Sequence, residues 1–223
     1  MVNVTGVLSI QTLITNVTGH FAYFAEEIMK RDYAAAMTFF VFIIFFLFGA
    51  FISNFLSELV SKKHPNLHHV IPISIEITIL IGVAIFGVQT ELGSNEGKWV
   101  ASSMLFAMGM QNALVTKISK STVRTTHLTG LFTDLGIELS QLFFYKKPEE
   151  RKRLKKSIYL RLSIIAFFFI GCISGGFIYN ALQLKTLFVA ATFLLIALLY
   201  DYIRLSFFVI KRKAIFKKAI LNK

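Results

Sequence analysis

The sequence feature that most constrains the fold is the run AAAMTFFVFIIFFLFGAFI from Ala34 to Ile52, in which Thr38 is the one clearly polar side chain. A bilayer core of about 30 Å is crossed by a helix of about 20 such residues. Hydrophobic residues make up 55% of the chain and charged residues 16%, which would cover the surface of a soluble domain poorly. We therefore predict an all-α integral membrane protein.

Two alternatives to an all-α membrane protein fit the sequence less well. Buried core helices of a soluble α-protein are disfavoured because apolar stretches of spanning length recur along the chain. A transmembrane β-barrel would alternate apolar and polar residues with a period of two, whereas these stretches are continuous. Five spans are predicted at about 33–55, 70–88, 99–115, 162–179 and 186–200, and a shorter, polar-interrupted sixth ends at about Ile14.

The Lys and Arg residues predict which loops face the cytoplasm, because cytoplasmic loops hold the excess of these residues. Of the 24 Lys and Arg residues, 20 lie in clusters at 62–63, 117–124, 146–161 and 204–223, and the other four lie elsewhere. Segments rich in Lys and Arg alternate along the chain with segments that have few of them, which predicts six crossings with both termini cytoplasmic. The net charge of +12 then serves orientation and contact with anionic lipids rather than nucleic-acid binding.

A short phrase occurs twice beside the most apolar segments, first as TNVTGHFAYFAEE and later as TTHLTGLFTDLGIE. Superimposing the Thr18-Gly19 pair on the Thr129-Gly130 pair also places Thr15 on Thr126. Two apolar spans follow each phrase. Chance similarity between low-complexity apolar segments is the alternative to a true repeat.

A repeat would divide the chain, as a single membrane domain, into halves at about 1–90 and 99–205, followed by a basic cytoplasmic tail at 206–223. Three crossings in each half would make the halves enter from opposite faces. This inverted-topology repeat is typical of transporters and some channels. The second phrase lies between two cytoplasmic segments, so it either re-enters the membrane and returns or lies along the interface. The first phrase would do the same from the outer side.

The stretches FAMGMQNALVTKISKSTVRTTHLTG and NVTGVLSIQTLITNVTGHF resemble the central and N-terminal signatures of the YoaK family, six-helix bacterial membrane proteins of unknown function. The resemblance covers nearly the whole chain. It departs from the family pattern in having His20 in place of Asn, and in beginning inside the first span, so that either the start is late or the first helix is short. The resemblance implies a bacterial cytoplasmic membrane protein with a transport role and no established substrate.

The two Thr-Gly pairs predict the substrate site. A backbone break inside the hydrocarbon is tolerated where it is buried in protein or faces water. The helix after each pair would direct its N-terminal amides toward the membrane interior and favour a polar or anionic guest. We therefore predict a site near the bilayer midplane, between two re-entrant helices that meet there. Its predicted members are Thr15, Asn16, Thr18, Gly19, Gln111, Asn112, Thr126, Thr129 and Gly130, with Asn3 as a further candidate.

Purely structural roles for these residues stay open. The Thr-Gly helices would also serve as interfacial packing elements, and the amides of Gln111 and Asn112 would also serve as hydrogen-bonding contacts between helices. Three acidic residues are candidates for binding a coupling ion or proton, namely Glu76, Asp134 and Glu138. Glu76 stands a turn or two inside a span, where an ionisable group suggests function, although it is near enough to the edge to reach the headgroups. Asp134 and Glu138 share one helix face, and nearby Lys and Arg residues offer them ordinary partners.

No enzyme, metal or cofactor is predicted. The single cysteine, Cys172, excludes an intramolecular disulfide and a Cys-rich metal site. No motif joins Ser102, His127 and Asp134 into a nucleophile with its base. The leading function is a transporter or channel for a small polar or anionic solute, and a structural or lipid-interacting membrane protein is the alternative, ahead of a membrane-embedded enzyme. Small residues on the spans also predict a homodimer within the bilayer.

Overall fold

The computed structural model describes residues 1–65, 67–87, 94–119 and 127–221, with side chains described as far as Arg204. Within these ranges the chain forms eight α-helices and no strand, which confirms the all-α prediction. The helices are α1 (Val2–Ile10), α2 (Val17–Met29), α3 (Tyr33–Ser61), α4 (Val70–Phe86), α5 (Asn95–Ile118), α6 (Leu128–Phe144), α7 (Pro148–Leu182) and α8 (Thr186–Leu221). A 3-10 turn at Gln183–Lys185 joins α7 to α8.

Two stretches are long and apolar enough to cross a membrane by length and composition. Tyr33–Ser61, which is α3, has a mean hydropathy of 2.6, and Pro148–Arg204, which covers α7 and the described side chains of α8, has 2.1. Helix α4 is apolar but shorter. Helix α5, which contains the predicted span 99–115, does not meet the same criteria. The six-crossing topology therefore stays a prediction.

The exposed surface of the bundle is more apolar than that of a typical soluble protein. Several polar side chains lie in the interior instead of on the surface, namely Thr5, Ser9, Ser53, Ser57, Glu76, Ser102 and Thr186. Large apolar side chains of α3 and α7 are well exposed, among them Leu47, Phe51, Phe167, Phe169 and Phe177. Many large exposed apolar side chains are expected where the solvent is hydrocarbon.

Helices α3 and α5 cross at a pair of glycines near the centre of the bundle. A Cβ atom on Gly49 would overlap the carbonyl oxygen of Phe106, and a Cβ atom on Gly109 would overlap the carbonyl oxygen of Phe46. The contact is reciprocal, because each glycine meets the residue three positions before the other glycine. Small residues let helix backbones approach closely within a membrane. Helix α5 also packs on α1 and α4, and it contains 11 buried residues, among them Ala101, Met104 and Leu105.

The contacts between helices have an internal symmetry. Exchange α1 with α5, α2 with α6, α3 with α7 and α4 with α8. Each pair of touching α-helices among the described residues then becomes a touching pair, either a different one or the same one. Thus α2 packs on α3 as α6 packs on α7, and α3 packs on α5 as α7 packs on α1. Helices α2 and α6 also begin at equivalent points, one residue before each Thr-Gly pair. The inverted orientation of the halves across a membrane stays a prediction.

The first helix break lies upstream of the position predicted for it. Helix α1 ends at Ile10, Gln11 takes a left-handed conformation with φ of 52°, and α2 begins at Val17. Thr18 and Gly19 therefore lie in the first turn of α2, and Thr129 and Gly130 lie in the first turn of α6. The prediction of a backbone break at each Thr-Gly pair is therefore wrong, and no glycine in the described ranges has a positive φ.

The break is stabilised by polar groups on either side of it. The side-chain oxygen of Asn3 accepts hydrogen bonds from the backbone N–H groups of Ile14 and Thr15, at 2.9 and 3.2 Å. Gly6 makes room for the returning chain, because a Cβ atom there would overlap the side chain of Ile14. Backbone that leaves a helix at membrane depth needs such partners, since the hydrocarbon offers none.

Two further predictions about the Thr-Gly segments and the basic loop need correction. Helices α2 and α6 do not meet, since α2 packs on α3 and α6 packs on α7, with no other helix against either among the described residues. The basic stretch at 146–156 was predicted as a loop, but from Pro148 onward it is the first part of α7. Pro148 at the first helical position and Glu149 and Glu150 in the first turn favour a helix start, and Lys and Arg are good helix formers.

Candidate functional site

A pocket of about 250 Å³ lies where helices from both halves of the chain converge. We call it the Glu76 pocket. Its polar lining residues are Asn3 of α1, Thr15 of the break, Glu76 of α4, Gln111 of α5 and Cys172 of α7. Its apolar lining residues are Met1, Val2, Leu80, Met108, Phe168, Ala190, Phe193 and Leu194. A mostly apolar wall with a few convergent polar groups is the usual composition of a small-molecule site.

Glu76 is the strongest functional candidate in the pocket. The sequence PISIEITIL places this carboxyl group one to two turns into an apolar helix, and the structure leaves it 1% exposed. Its Oε1 atom is buried and has no hydrogen-bond partner among the described residues. An ionisable group that is buried without a partner is costly to the fold, so its presence here points to a role outside packing.

Asn3 and Thr15 form the side of the pocket next to the helix break. The two backbone N–H groups at 14 and 15 occupy the side-chain oxygen of Asn3, so its amide nitrogen is the donor that it can offer to a guest. The same hydrogen bonds hold Thr15 in the wall. The break therefore contributes to the pocket through its side chains rather than through helix N-terminal amides.

Gln111 and Asn112 are adjacent in the sequence but separate in the structure. Gln111 lines the Glu76 pocket, while Asn112 does not and has an interaction elsewhere. Successive residues on an α-helix point about 100° apart, which accounts for the separation. Of the predicted site residues, the structure thus brings Thr15, Glu76 and Gln111 together with Asn3.

The other predicted substrate residues that the structure describes lie outside this pocket. Asn16 caps α2, since its side-chain oxygen accepts from the N–H of Gly19 at 3.1 Å. Thr18 and Thr129 are exposed. Gly130 lies against the ring of the capping residue His127, which a Cβ atom at Gly130 would overlap. Thr126 lies outside the described residues.

Asp134 and Glu138 form an ion-pair cluster that joins α6 to α7. The guanidinium group of Arg161 bonds the Asp134 carboxylate at 2.8 Å through one nitrogen and the Glu138 carboxylate at 3.0 Å through another. Ser157 donates a further hydrogen bond of 2.7 Å to Glu138. These carboxylates already have cationic and hydrogen-bonding partners, and they do not line the Glu76 pocket.

His20 is a structurally important residue whose role the sequence did not predict. It is 1% exposed, and its Nε2 atom lies 2.7 Å from the carbonyl oxygen of Leu13, which belongs to the helix break. Phe39 and Phe42 flank the ring, with centroid distances of 6.0 and 5.5 Å. One feature of the sequence pointed to this role, namely a single imidazole on an apolar helix directly after a break whose backbone needs polar partners.

A second pocket of about 380 Å³ lies near the loop after α3, and His64, His69 and Asp201 contribute to its otherwise largely apolar lining. The Nε2 atom of His69 lies 2.8 Å from Asp201. Over the described part of the chain, no three His, Cys, Asp or Glu side chains cluster as metal ligands would. This pocket contains none of the predicted substrate residues.

Comparison with known proteins identifies a family without a known activity. The model of the family described as "Protein of unknown function (DUF1275)" matches residues 1–200 of the 223-residue chain. Members of this family are uncharacterised membrane proteins. The predicted resemblance is confirmed at that level, while the narrower YoaK name stays a prediction. No curated protein and no solved structure matches the chain.

Proposed function

The chain belongs to the DUF1275 family of membrane proteins, and from the Glu76 pocket we propose that it is a membrane transporter or channel for a small polar solute. The observation that carries this proposal is the convergence of α1 and α4 from the first half with α5, α7 and α8 from the second half around one partly polar pocket. Transporters with repeated halves bind their solutes at the interface between the halves.

The size and chemistry of the pocket limit the solute. A volume of about 250 Å³ equals that of about eight water molecules in the liquid, so the solute is small. The prediction of a polar or anionic solute rested on helix N-termini, but Asn16 caps the start of α2, and neither Thr-Gly pair lines the pocket. The proposal therefore concerns a polar solute held by side-chain amides, a hydroxyl and a carboxyl group.

The topology proposed with this function is six crossings by two inverted halves, with both termini in the cytoplasm of a bacterial cell. The symmetric helix contacts support two equivalent halves, and the distribution of Lys and Arg supports their orientation. We also propose a homodimer and membership of the YoaK family. The apolar surface of α3 and α7 would face lipid or a second copy.

Solute flux tests the proposal directly. Purified protein in liposomes should accelerate uptake of at least one labelled solute from a panel of urea, glycerol, methylammonium and acetate. Gln111→Leu removes a pocket amide at similar volume and should reduce that flux up to about tenfold, the effect of roughly one hydrogen bond. Thr129→Val is the matched control, because Thr129 lies outside the pocket. The control separates this pocket from a site at the Thr-Gly pairs, where Thr129→Val would be the damaging change.

A structural or lipid-interacting role is the second candidate. It is favoured by the peripheral position of α2 and α6 and by the exposed apolar side chains Phe21, Tyr23 and Phe132 on them. Such helices are suited to lie at a membrane interface. If no solute in the panel crosses faster than through protein-free liposomes, the transport proposal fails and this second role takes its place.

A further inference from the structure

We propose that the Glu76 pocket binds a small organic ammonium ion and that the Glu76 carboxylate is its counter-charge. The inference deepens the proposed function and rests on it in taking this pocket as the solute site. It names a chemical class of ligand for the pocket, namely a primary ammonium group on a short hydrocarbon.

The first support is the buried, unpartnered carboxyl group. Glu76 is 1% exposed, its Oε1 atom has no hydrogen-bond partner, and no Lys, Arg or His is among the residues that line the pocket. None of the ion pairs among the described residues includes Glu76. A buried carboxylate without a counter-charge is strongly unfavourable, and a bound cation in the pocket would offset that cost.

The second support is the set of acceptors near the carboxyl group, which suits an ammonium group better than a metal ion. Calcium takes six to eight oxygen ligands and magnesium demands an octahedral shell, whereas this pocket offers one carboxylate. An ammonium group donates three hydrogen bonds. The carboxylate of Glu76, the side-chain carbonyl of Gln111 and the hydroxyl of Thr15 are the acceptors in the lining, since the oxygen of Asn3 is already occupied.

The third support is the apolar part of the wall, which would cover the hydrocarbon of such a ligand. Leu80 and Leu194 offer aliphatic surface, and Phe168 and Phe193 offer aromatic surface. An aromatic ring also attracts a cation over its face. An inorganic ion would leave this apolar surface unused, whereas an alkylammonium ion would use both parts of the wall.

An amino group at Met1, which lines the pocket, would be a competing positive charge. It lies near α7, where a Cβ atom on Gly175 would stand 2.9 Å from the Met1 Cα atom. No ion pair joins it to Glu76 among the described residues. If this amino group rather than Glu76 set the potential of the pocket, an anion would be favoured, so the sign of the selectivity is the quantity to measure.

Cys172 provides the measurement, because it is the single cysteine and lines the pocket. Purified protein in detergent is treated with aminoethyl methanethiosulfonate, which carries an ammonium group, or with sulfonatoethyl methanethiosulfonate, which carries a sulfonate. Each labelling rate is divided by the rate of the same reagent with a small free thiol. For unit charges about 10 Å apart at an effective dielectric constant of about 20, we expect the ammonium reagent to be favoured about tenfold or more.

Two variants assign this preference to the carboxylate. Glu76→Gln keeps the shape and should reduce the preference to about twofold or less, whereas Glu76→Asp keeps the charge and should retain it. Circular dichroism and size-exclusion profiles establish that both variants fold. Equal normalised rates for the two reagents on the wild-type protein, or faster labelling by the sulfonate, would overturn the proposal without reference to any variant.

Protection by ligands tests the hydrocarbon part of the inference. The n-alkylammonium chlorides from methyl to hexyl should slow the labelling of Cys172, with about fourfold tighter binding per methylene until the chain outgrows the pocket. Alcohols of equal length are the uncharged controls and should not protect. Equal protection by alcohols and ammonium ions would contradict the inference.

The outcomes also separate this inference from the proposed function. Protection by alkylammonium ions without flux of any solute would leave the ammonium site standing and remove the transport function. Flux of urea or glycerol that depends on Gln111, without protection by any ammonium ion, would support the transport function and remove the ammonium site.

Discussion

The α3–α5 crossing allows a stability prediction that can be worked out from the structure. Gly49→Ala adds one methyl group at a point where it would overlap the carbonyl oxygen of Phe106. The overlapping atom belongs to a helix backbone, so it cannot move aside as the end of a flexible side chain would. The two helices must separate, and they lose contact around the crossing.

The magnitude follows from comparison with a glycine that has open space. Overpacking typically costs about 1–3 kcal/mol, while replacing a helical glycine by alanine gains up to about 1 kcal/mol in propensity. Gly82→Ala in α4 is the matched control, because no atom lies within 4 Å of the position of its Cβ. The gain in propensity cancels between the two variants. Gly49→Ala should therefore be about 1–3 kcal/mol less stable than Gly82→Ala.

Thermal unfolding of the two variants measures this difference. A chain of this size changes its melting temperature by about 2–4 °C per kcal/mol, so Gly49→Ala should melt roughly 2–12 °C below Gly82→Ala. The loss of far-UV circular dichroism on heating, at one fixed detergent concentration, provides the comparison. Equal melting temperatures would refute the close approach of the two helices.

A double variant tests whether the two glycines act at one crossing. Gly109→Ala alone should be destabilising for the same reason, since its added methyl group would overlap the carbonyl oxygen of Phe46. Once Gly49→Ala has separated the helices, the second methyl group meets less resistance. The combined cost should be smaller than the sum of the single costs, and strict additivity would mean that the two contacts are independent.

Four further predictions concern other parts of the chain. Arg161→Lys should lose about 1–2 kcal/mol of stability and speed hydrogen exchange in α6, because a lysine cannot reproduce the two-nitrogen contact to both carboxylates. Asn16→Ala should cost about 1 kcal/mol through loss of the α2 cap, measured by thermal unfolding. In a Cys172→Ser background, a cysteine at Asn95 should react with an impermeant reagent from outside intact cells and one at Glu149 should not; labelling at 149 would overturn the topology. Native mass spectrometry in mild detergent should find a dimer, and monomer alone would contradict that prediction.

The helical class and most helix positions could be predicted from the sequence. Long apolar runs predict helices wherever they occur, because a spanning backbone has to satisfy its own hydrogen bonds. The predicted segments 33–55 and 186–200 lie inside α3 and α8. The helical extension of α7 upstream to Pro148 was missed, because basic residues mark a loop in a hydropathy profile although they form helices readily.

The position of the helix break and the members of the pocket were harder to predict. Glycine was assumed to mark the break, but the left-handed residue is Gln11, and the surrounding chain is held by Asn3 and His20. These partners lie 7 to 12 residues from the groups that they bind, beyond the range of local helix propensity. Glu76 was identified because an ionisable group within a span is costly, whereas its association with Gln111 depends on how α4 packs against α5.

The symmetry of the helix contacts does not extend to the charge of the pocket. The two halves contribute similar amides, since Asn3 lies on α1 and Gln111 lies on its counterpart α5. Glu76 on α4 has no such counterpart, because α8 contributes Ala190, Phe193 and Leu194 to the wall. The helices around the pocket thus follow the symmetry of the contacts, while its carboxyl group comes from one half alone. Glu76→Gln, which keeps the shape of the side chain, should therefore change the charge preference of the pocket with little effect on helix packing, whereas Gly49→Ala should disturb the packing itself.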